Sequence, residues 1–345
     1  MATMTQSGKF EVAHVGPPAP IELDGVTHNY GTRLALDRLS FSVGEAEIFG
    51  LLGPNGSGKT TLFRILSTLM VPTGGAARIR GFDAGREPNK VRQQTGIVFQ
   101  ARSVDIKLTA AENLKHQGHL YGLHGAQLKT RIAEVLLRVG LLDRANDRVE
   151  TLSGGQQRRV ELAKGLIHSP SVLLLDEPST GLDPGARRDL WQYLGTLRDQ
   201  EGVTVLVTTH LMEEAEHCDR LAILSEGRLV ALGSPAELKA QIGGDVVTFE
   251  TAGPEQAAQL ARDIAGRFGA EATVLGHAVR VEREQGHRFL TDVVEAFPGR
   301  VEGVSVAKPS LEDVFIDRTG HRFWTEGEAQ DETSGGKKKK KRGTH

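Results

Sequence analysis

From Ile21 to about Gly243, short apolar runs alternate with longer stretches whose apolar positions recur every three or four residues. The runs at 47–53, 96–100, 172–176, 203–209 and 221–224 predict buried strands. Segments 60–69 and 186–198 carry the spacing of helices packed on one face. This alternation predicts an α/β fold with a mainly parallel sheet covered on both faces.

After residue 245 the rhythm changes. Strand patterns at 245–251, 272–275, 278–282 and 301–306 enclose helix patterns at 254–268 and 286–297. The order βαββαβ predicts a small α+β domain of ferredoxin-like pattern over 245–320. Residues 1–20 hold Pro17, Pro18 and Pro20 without periodicity and read as a flexible lead-in. Residues 321–345 end in a basic run, Lys337 to Arg342, which repels itself and predicts disorder. That run reads either as a solvated tail or as a segment drawn to anionic lipid.

The composition narrows the function classes. Of 345 residues 25% are charged and the net charge is −2, so no basic field for nucleic acid is present. Aromatic residues are 5%, too few for base-stacking platforms. The one cysteine, Cys218, has no disulfide partner in the chain and fits a reducing compartment and a packing role. No apolar run reaches the roughly 18 residues of a membrane helix, and the stretch from Met1 to Phe10 has no signal-peptide core. A cytosolic protein is expected, held at any membrane by another chain.

The sharpest local chemistry is Gly53-Pro54-Asn55-Gly56-Ser57-Gly58-Lys59-Thr60-Thr61, between an apolar run and a helical pattern. It fits the phosphate-loop motif in the context that motif requires. Glycines let backbone N–H groups close on phosphates, and the following helix adds its unsatisfied N–H groups and dipole. Lys59 adds a point charge, and the Thr60 hydroxyl is placed to ligate Mg²⁺. On its own this loop serves a kinase, a GTPase or a helicase equally well.

Further along, Val172 to Leu175 lead into Asp176 and Glu177, two carboxylates at the end of a greasy strand. Acids there need a positive partner. Mg²⁺ on a nucleotide supplies one: Asp176 holds the ion through water, and Glu177 orients or deprotonates the attacking water. The plainer alternative is a pair of helix-capping acids. Then Leu152-Ser153-Gly154-Gly155-Gln156 opens a helix, with Ser153 as its cap. This second anion site shares the chain with only one phosphate loop. In a head-to-tail homodimer each Ser153-Gly154-Gly155 closes on the nucleotide of its partner.

At this point the chain resembles the nucleotide-binding subunits of the ABC transporter superfamily over residues 21–243. Residues 152–156 stand where that family has its signature, and Ser179-Thr180-Gly181-Leu182-Asp183 where it has the D-loop. Gln100 matches the Q-loop glutamine, His210 the switch histidine and Tyr30 the adenine-stacking aromatic. The resemblance implies a P-loop NTPase domain with a RecA-like core, a helical subdomain at about 101–164, ATP and Mg²⁺ as cofactors, and Gln100 reaching the ion. It also implies Glu177, His210 and Lys59 as catalytic residues and Asp183 near the nucleotide. A separate integral-membrane permease is the implied partner, at the cytoplasmic face of the cell membrane. Ser103-Val104-Asp105, the stretch from Leu108 to Leu114 and Pro309-Ser310-Leu311-Glu312-Asp313-Val314-Phe315 are similar to the daunorubicin-resistance-type ATPases of the ABC-2 export group. That likeness implies export of a drug, antibiotic or lipid-like molecule. The competing class is a non-transport ABC ATPase acting on ribosomes or DNA. Such proteins carry two nucleotide domains, zinc modules or long coiled coils, and none of these patterns is present here. A nucleoside kinase leaves residues 152–156 and His210 without a task.

Overall fold

The computed structural model describes residues 18–321 and Phe323. In chain order the first part runs β1 (Ile21–Tyr30), β2 (Arg33–Val43), β3 (Ile48–Leu52), α1 (Lys59–Leu66), β4 (Gly74–Ile79), β5 (Phe82–Asp83), α2 (Pro88–Gln94) and β6 (Thr95–Val98). Three helices follow, α3 (Ala110–Leu120), α4 (Gly125–Arg138) and α5 (Gly154–Leu166). The chain then returns through β7 (Val172–Asp176), α6 (Pro184–Glu201), β8 (Thr204–Thr209), α7 (Met212–Ala215), β9 (Arg220–Ser225), β10 (Arg228–Gly233) and α8 (Pro235–Ala240).

The central sheet has the order β10-β9-β3-β8-β7-β6, parallel from β9 to β6 with β10 antiparallel at one edge. Every residue of β3, β7 and β8 is buried, because helices cover both faces. The phosphate loop, the Asp176–Glu177 pair and His210 all follow the carboxyl ends of these strands, where open α/β sheets place ligands.

Residues 21–43 depart from the expected pattern. β1, β2, β4 and β5 form a separate antiparallel sheet in the order β2-β1-β4-β5. Register shifts between Leu23 and Val26 and between Val26 and His28 break the two-residue alternation that marks such strands. One face of this sheet packs through Ile21, Leu39 and Val43 against Phe49, Leu62 and Phe63 of the central body.

The last part runs β11 (Asp245–Glu250), α9 (Pro254–Phe268), β12 (Ala272–Leu275), β13 (Ala278–Arg283), α10 (Gly286–Ala296), β14 (Gly303–Ala307) and α11 (Leu311–Thr319). Its sheet is antiparallel with order β12-β13-β11-β14, the ferredoxin-like arrangement. Val247, Phe249, Val279 and Val281 meet Leu260, Ile264 and Phe289 in a core of its own. Helix α11 leaves that core: Leu311, Val314 and Phe315 pack with Leu52, Ala215, Leu221 and Leu238 of the first part. Residues 1–17 and the basic run from Lys337 to Arg342 lie outside the described residues.

Candidate nucleotide site

The loop after β3 reaches α1 through Gly56 and Gly58, whose φ angles of 81° and 106° favour glycine. A side chain at Gly58 collides as well, since a Cβ there lies 2.7 Å from Leu36 Cδ2 and 2.9 Å from the Ala35 carbonyl. No side chain caps α1, so its first N–H groups face the cleft. Lys59 is 5% exposed, and its Nζ donates to the carbonyls of Gly53 (2.6 Å) and Pro54 (3.0 Å). Burial pulls its pKa below the ordinary lysine value, while Glu177 and Asp176 oppose that shift.

Tyr30, Asn55, Gly56, Gly58, Lys59, Thr60, Thr61 and Glu177 line one cleft of about 400 Å³. Tyr30 ends β1 with its ring half exposed and its hydroxyl 3.5 Å from Thr61 Oγ1. Pro54 and Ser57 belong to the loop without lining this cleft.

Strand β7 delivers the carboxylates. Its register sets Asp176 opposite Thr208 of β8. The Thr208 hydroxyl donates to Asp176 Oδ1 (2.6 Å), and the Glu177 N–H donates to the same hydroxyl oxygen (3.0 Å). Burial pushes the Asp176 carboxyl above its ordinary pKa, and the Thr208 hydrogen bond works against that. Glu177 has φ 43°, a left-handed backbone unusual for a residue before proline. Its carboxylate meets His210 Nδ1 at 3.0 Å, the Gln100 amide nitrogen at 3.0 Å and the Thr180 hydroxyl at 3.3 Å. The His210 contact above all holds the Glu177 pKa below its ordinary value.

The strand expected at 96–100 ends at Val98, so Gln100 stands on the following loop. That position lets its side chain cross to Glu177. The helix expected at 60–69 starts one residue earlier and stops at Leu66. Cys218 lies past the end of α7 as a buried thiol whose pKa burial raises, as expected of an inert packing residue.

Helix α5 begins as expected. Ser153 Oγ accepts from the Gln156 N–H (3.2 Å), and the Gln156 side chain returns to the Ser153 N–H (2.9 Å). Ser153, Gly154, Gly155 and Gln156 line no part of the cleft around Lys59. Gly155 instead abuts Ala186, where a Cβ comes within 2.9 Å of that methyl. Asp183 does not join the cleft either: its Oδ1 caps α6 by accepting from the Ala186 N–H (2.9 Å).

Several residues of the site escaped the sequence reading. Thr208 looks there like an ordinary β-former. Glu214, 1% exposed, accepts from Ser179 Oγ and from Thr209 Oγ1 (2.6 Å), joining the 179–183 loop to the His210 loop. Arg158 and Glu161 form a buried ion pair at 2.5 Å on α5. Their signal was two charges three apart in a helix whose buried positions also include Val160, Leu162 and Ala163.

A phosphate loop after β3, an acid pair at the end of β7 and a histidine just past β8, the strand between those two, define a P-loop ATPase. The comparisons identify its kind. A family model described as ABC transporter matches residues 36–180. The daunorubicin resistance ATP-binding protein DrrA2 of Streptomyces coeruleorubidus is 40% identical over 308 residues, covering 88% of this chain and 95% of that one. The Nod factor export ATP-binding protein I of Paraburkholderia xenovorans (strain LB400) is 43% identical over 318 residues, with coverage of 89% and 99%. Among solved structures, the dimeric post-hydrolysis state of the cassette MJ0796 with ADP and Pi matches at TM-score 0.56 and 30% identity, covering 62% of this chain and 98% of that one. The chain belongs to the ATP-binding subunits of ABC transporters. It binds and hydrolyses ATP, and no helix among the described residues is long and apolar enough to cross a membrane.

Proposed function

We propose that two copies of this chain close head-to-tail on two ATP molecules and drive a separate membrane permease. The cargo is a drug, antibiotic or lipid-like molecule, moved outward from the cytoplasmic face. The observation that carries this reading is the N-terminus of α5. It is exposed, rigidly capped and lines no part of its own chain's cleft, so its free N–H groups serve a nucleotide held by another copy. The dimeric cassette relative and the export ATP-binding proteins support the same reading.

Within each cleft Lys59 neutralises the outer phosphates, and the loop residues Gly53 to Thr61 wrap them. The Tyr30 ring supplies a stacking face for adenine. Glu177 orients and deprotonates the attacking water, held by His210 and Gln100. The donors fit Mg²⁺, a hard ion that takes oxygen ligands. Thr60 lines the cleft, Asp176 is a buried carboxylate whose charge needs a cation, and Gln100 turns its amide nitrogen to Glu177, leaving its oxygen as acceptor. Bound there, Mg²⁺ would offset charge on the phosphates. Ser153 and the Gly154–Gly155 backbone of the second copy grip the γ-phosphate, and hydrolysis releases them. Moving a 1:99 open-to-closed equilibrium to 99:1 takes about 5.5 kcal/mol of differential binding, a load two sandwiched nucleotides share. The groove near Gln100 transmits closure to the permease. Asp183 acts through the α6 cap.

Co-purification from membranes tests the transport reading. The chain should come down with an integral-membrane protein, and a fluorescent amphipathic drug should leave cells only when that pair is intact. Recovery with ribosomal RNA or DNA, and no membrane protein, would overturn it.

His210→Gln makes a narrower case. Without the imidazole the Glu177 carboxyl loses its main stabilising contact, while burial still raises its pKa. Its protonation then reaches to higher pH. The acidic limb of the kcat profile should therefore move up in pH, and an unmoved limb would contradict the contact's role.

A further inference from the structure

We propose that Arg158 is a positioning residue for hydrolysis, its guanidinium tying the helix that begins at Ser153 to the backbone just before Gln100 and to the backbone on either side of Glu177. The inference rests on the reading of Glu177 above.

The geometry is specific. Arg158 Nη1 donates to the carbonyl of Phe99 (2.8 Å), the residue before Gln100. Its Nε donates to Pro178 O (2.8 Å) and its Nη2 reaches Asp176 O (3.4 Å), the two neighbours of Glu177. Nη1 also donates to Glu161 Oε2 at 2.5 Å. The other oxygen of Glu161 accepts from the Ser103 N–H (2.6 Å), and Lys164 Nζ donates to Ser103 O (2.6 Å). One face of α5 thus holds the 99–103 loop at both ends and the end of β7 at the same time.

Arg158 is 9% exposed and Glu161 3%. A buried pair like this is weak evidence for stability, since apolar replacements of similar volume often do as well. What a guanidinium offers instead is five donors in a rigid fork, able to hold diverging carbonyls that an ammonium cannot reach together. The held backbone is also the strained one. Glu177 keeps its left-handed conformation only because its surroundings enforce it: Thr208 on its N–H, Arg158 on the carbonyls at each side. Rotation of α5 with the helical subdomain therefore moves Phe99, Asp176 and Pro178 as one unit. Gln100 and Glu177, already in contact at 3.0 Å, follow together.

The test compares steady-state ATP turnover and melting temperature of the full chain as Arg158→Lys, as the double variant Arg158→Met/Glu161→Leu, and as Glu177→Gln. Arg158→Lys should lower kcat roughly 10- to 100-fold, the scale of a small misplacement at a reacting centre, with KM for ATP unchanged. The double variant leaves no unpaired buried charge but removes the partners of Phe99 O, Pro178 O and the Ser103 N–H, so it should melt below the parent and, assayed below that temperature, still show the low kcat. Parent-like kcat in either variant, or a loss expressed in KM alone, overturns the inference. If the double variant does not fold, Arg158→Lys decides by itself. Glu177→Gln separates the two claims. Undiminished turnover there removes the reading of Glu177, whereas an inactive Glu177→Gln beside a fully active Arg158→Lys removes only the role of Arg158.

Discussion

Glu177→Gln lowers ATP turnover roughly 10²- to 10⁴-fold while ATP still binds, because the change removes a positioned base and little else. The amide keeps the size of the carboxylate, and its oxygen still faces the Gln100 amide nitrogen. What disappears is the charge that His210 holds in its ionised form. Lys59 and the loop are untouched, so nucleotide affinity persists. A radiolabelled phosphate-release assay beside a fluorescent-nucleotide titration separates the two quantities. Loss of binding together with turnover would show that Glu177 serves the fold of the cleft instead of the chemistry.

Lys59→Met has the opposite signature. The cation is the largest positive charge offered to the phosphates, and it is already desolvated and locked by two loop carbonyls. A hydrogen bond to a charged group contributes about 1.5–3 kcal/mol, and each 1.4 kcal/mol is tenfold in affinity. Loss of one or two such contacts weakens ATP binding roughly 100-fold. Calorimetric titration reads it directly. An affinity within a few-fold of the parent would place the phosphates away from this loop.

The parts of the site legible in the sequence are those whose chemistry lies in one continuous segment. Residues 53–61 carry strand, loop and helix start in a row, so their context could be checked without a fold. The same holds for Ser153 and Gln156, whose reciprocal hydrogen bonds span only three residues. Contacts made across the sheet were not legible. Thr208 meets Asp176 only because β7 and β8 pair in one particular register, and nothing local to Thr208 announces it. Glu214 reads as a surface acid on a helix, yet the 179 and 209 loops converge on it. The antiparallel sheet of β1 and β2 hid for a different reason, since its bulges erase the alternation that reveals such strands. Asp183 was read from resemblance as part of the nucleotide site, and within one chain it is a helix cap. The segment from Pro309 to Phe315 falls within the 245–320 region expected to form the C-terminal domain. Its apolar residues instead fill a seam against β9 and α8, which no periodicity could assign to one neighbour over another.

Sedimentation of the Glu177→Gln chain with and without Mg·ATP bears most directly on the sandwich of two chains. The account predicts a monomer without nucleotide, a dimer with Mg·ATP and a monomer again with Mg·ADP, since only a γ-phosphate is shared between Lys59 of one copy and Ser153 of the other. A species that stays monomeric in saturating Mg·ATP, with the permease present, would contradict it.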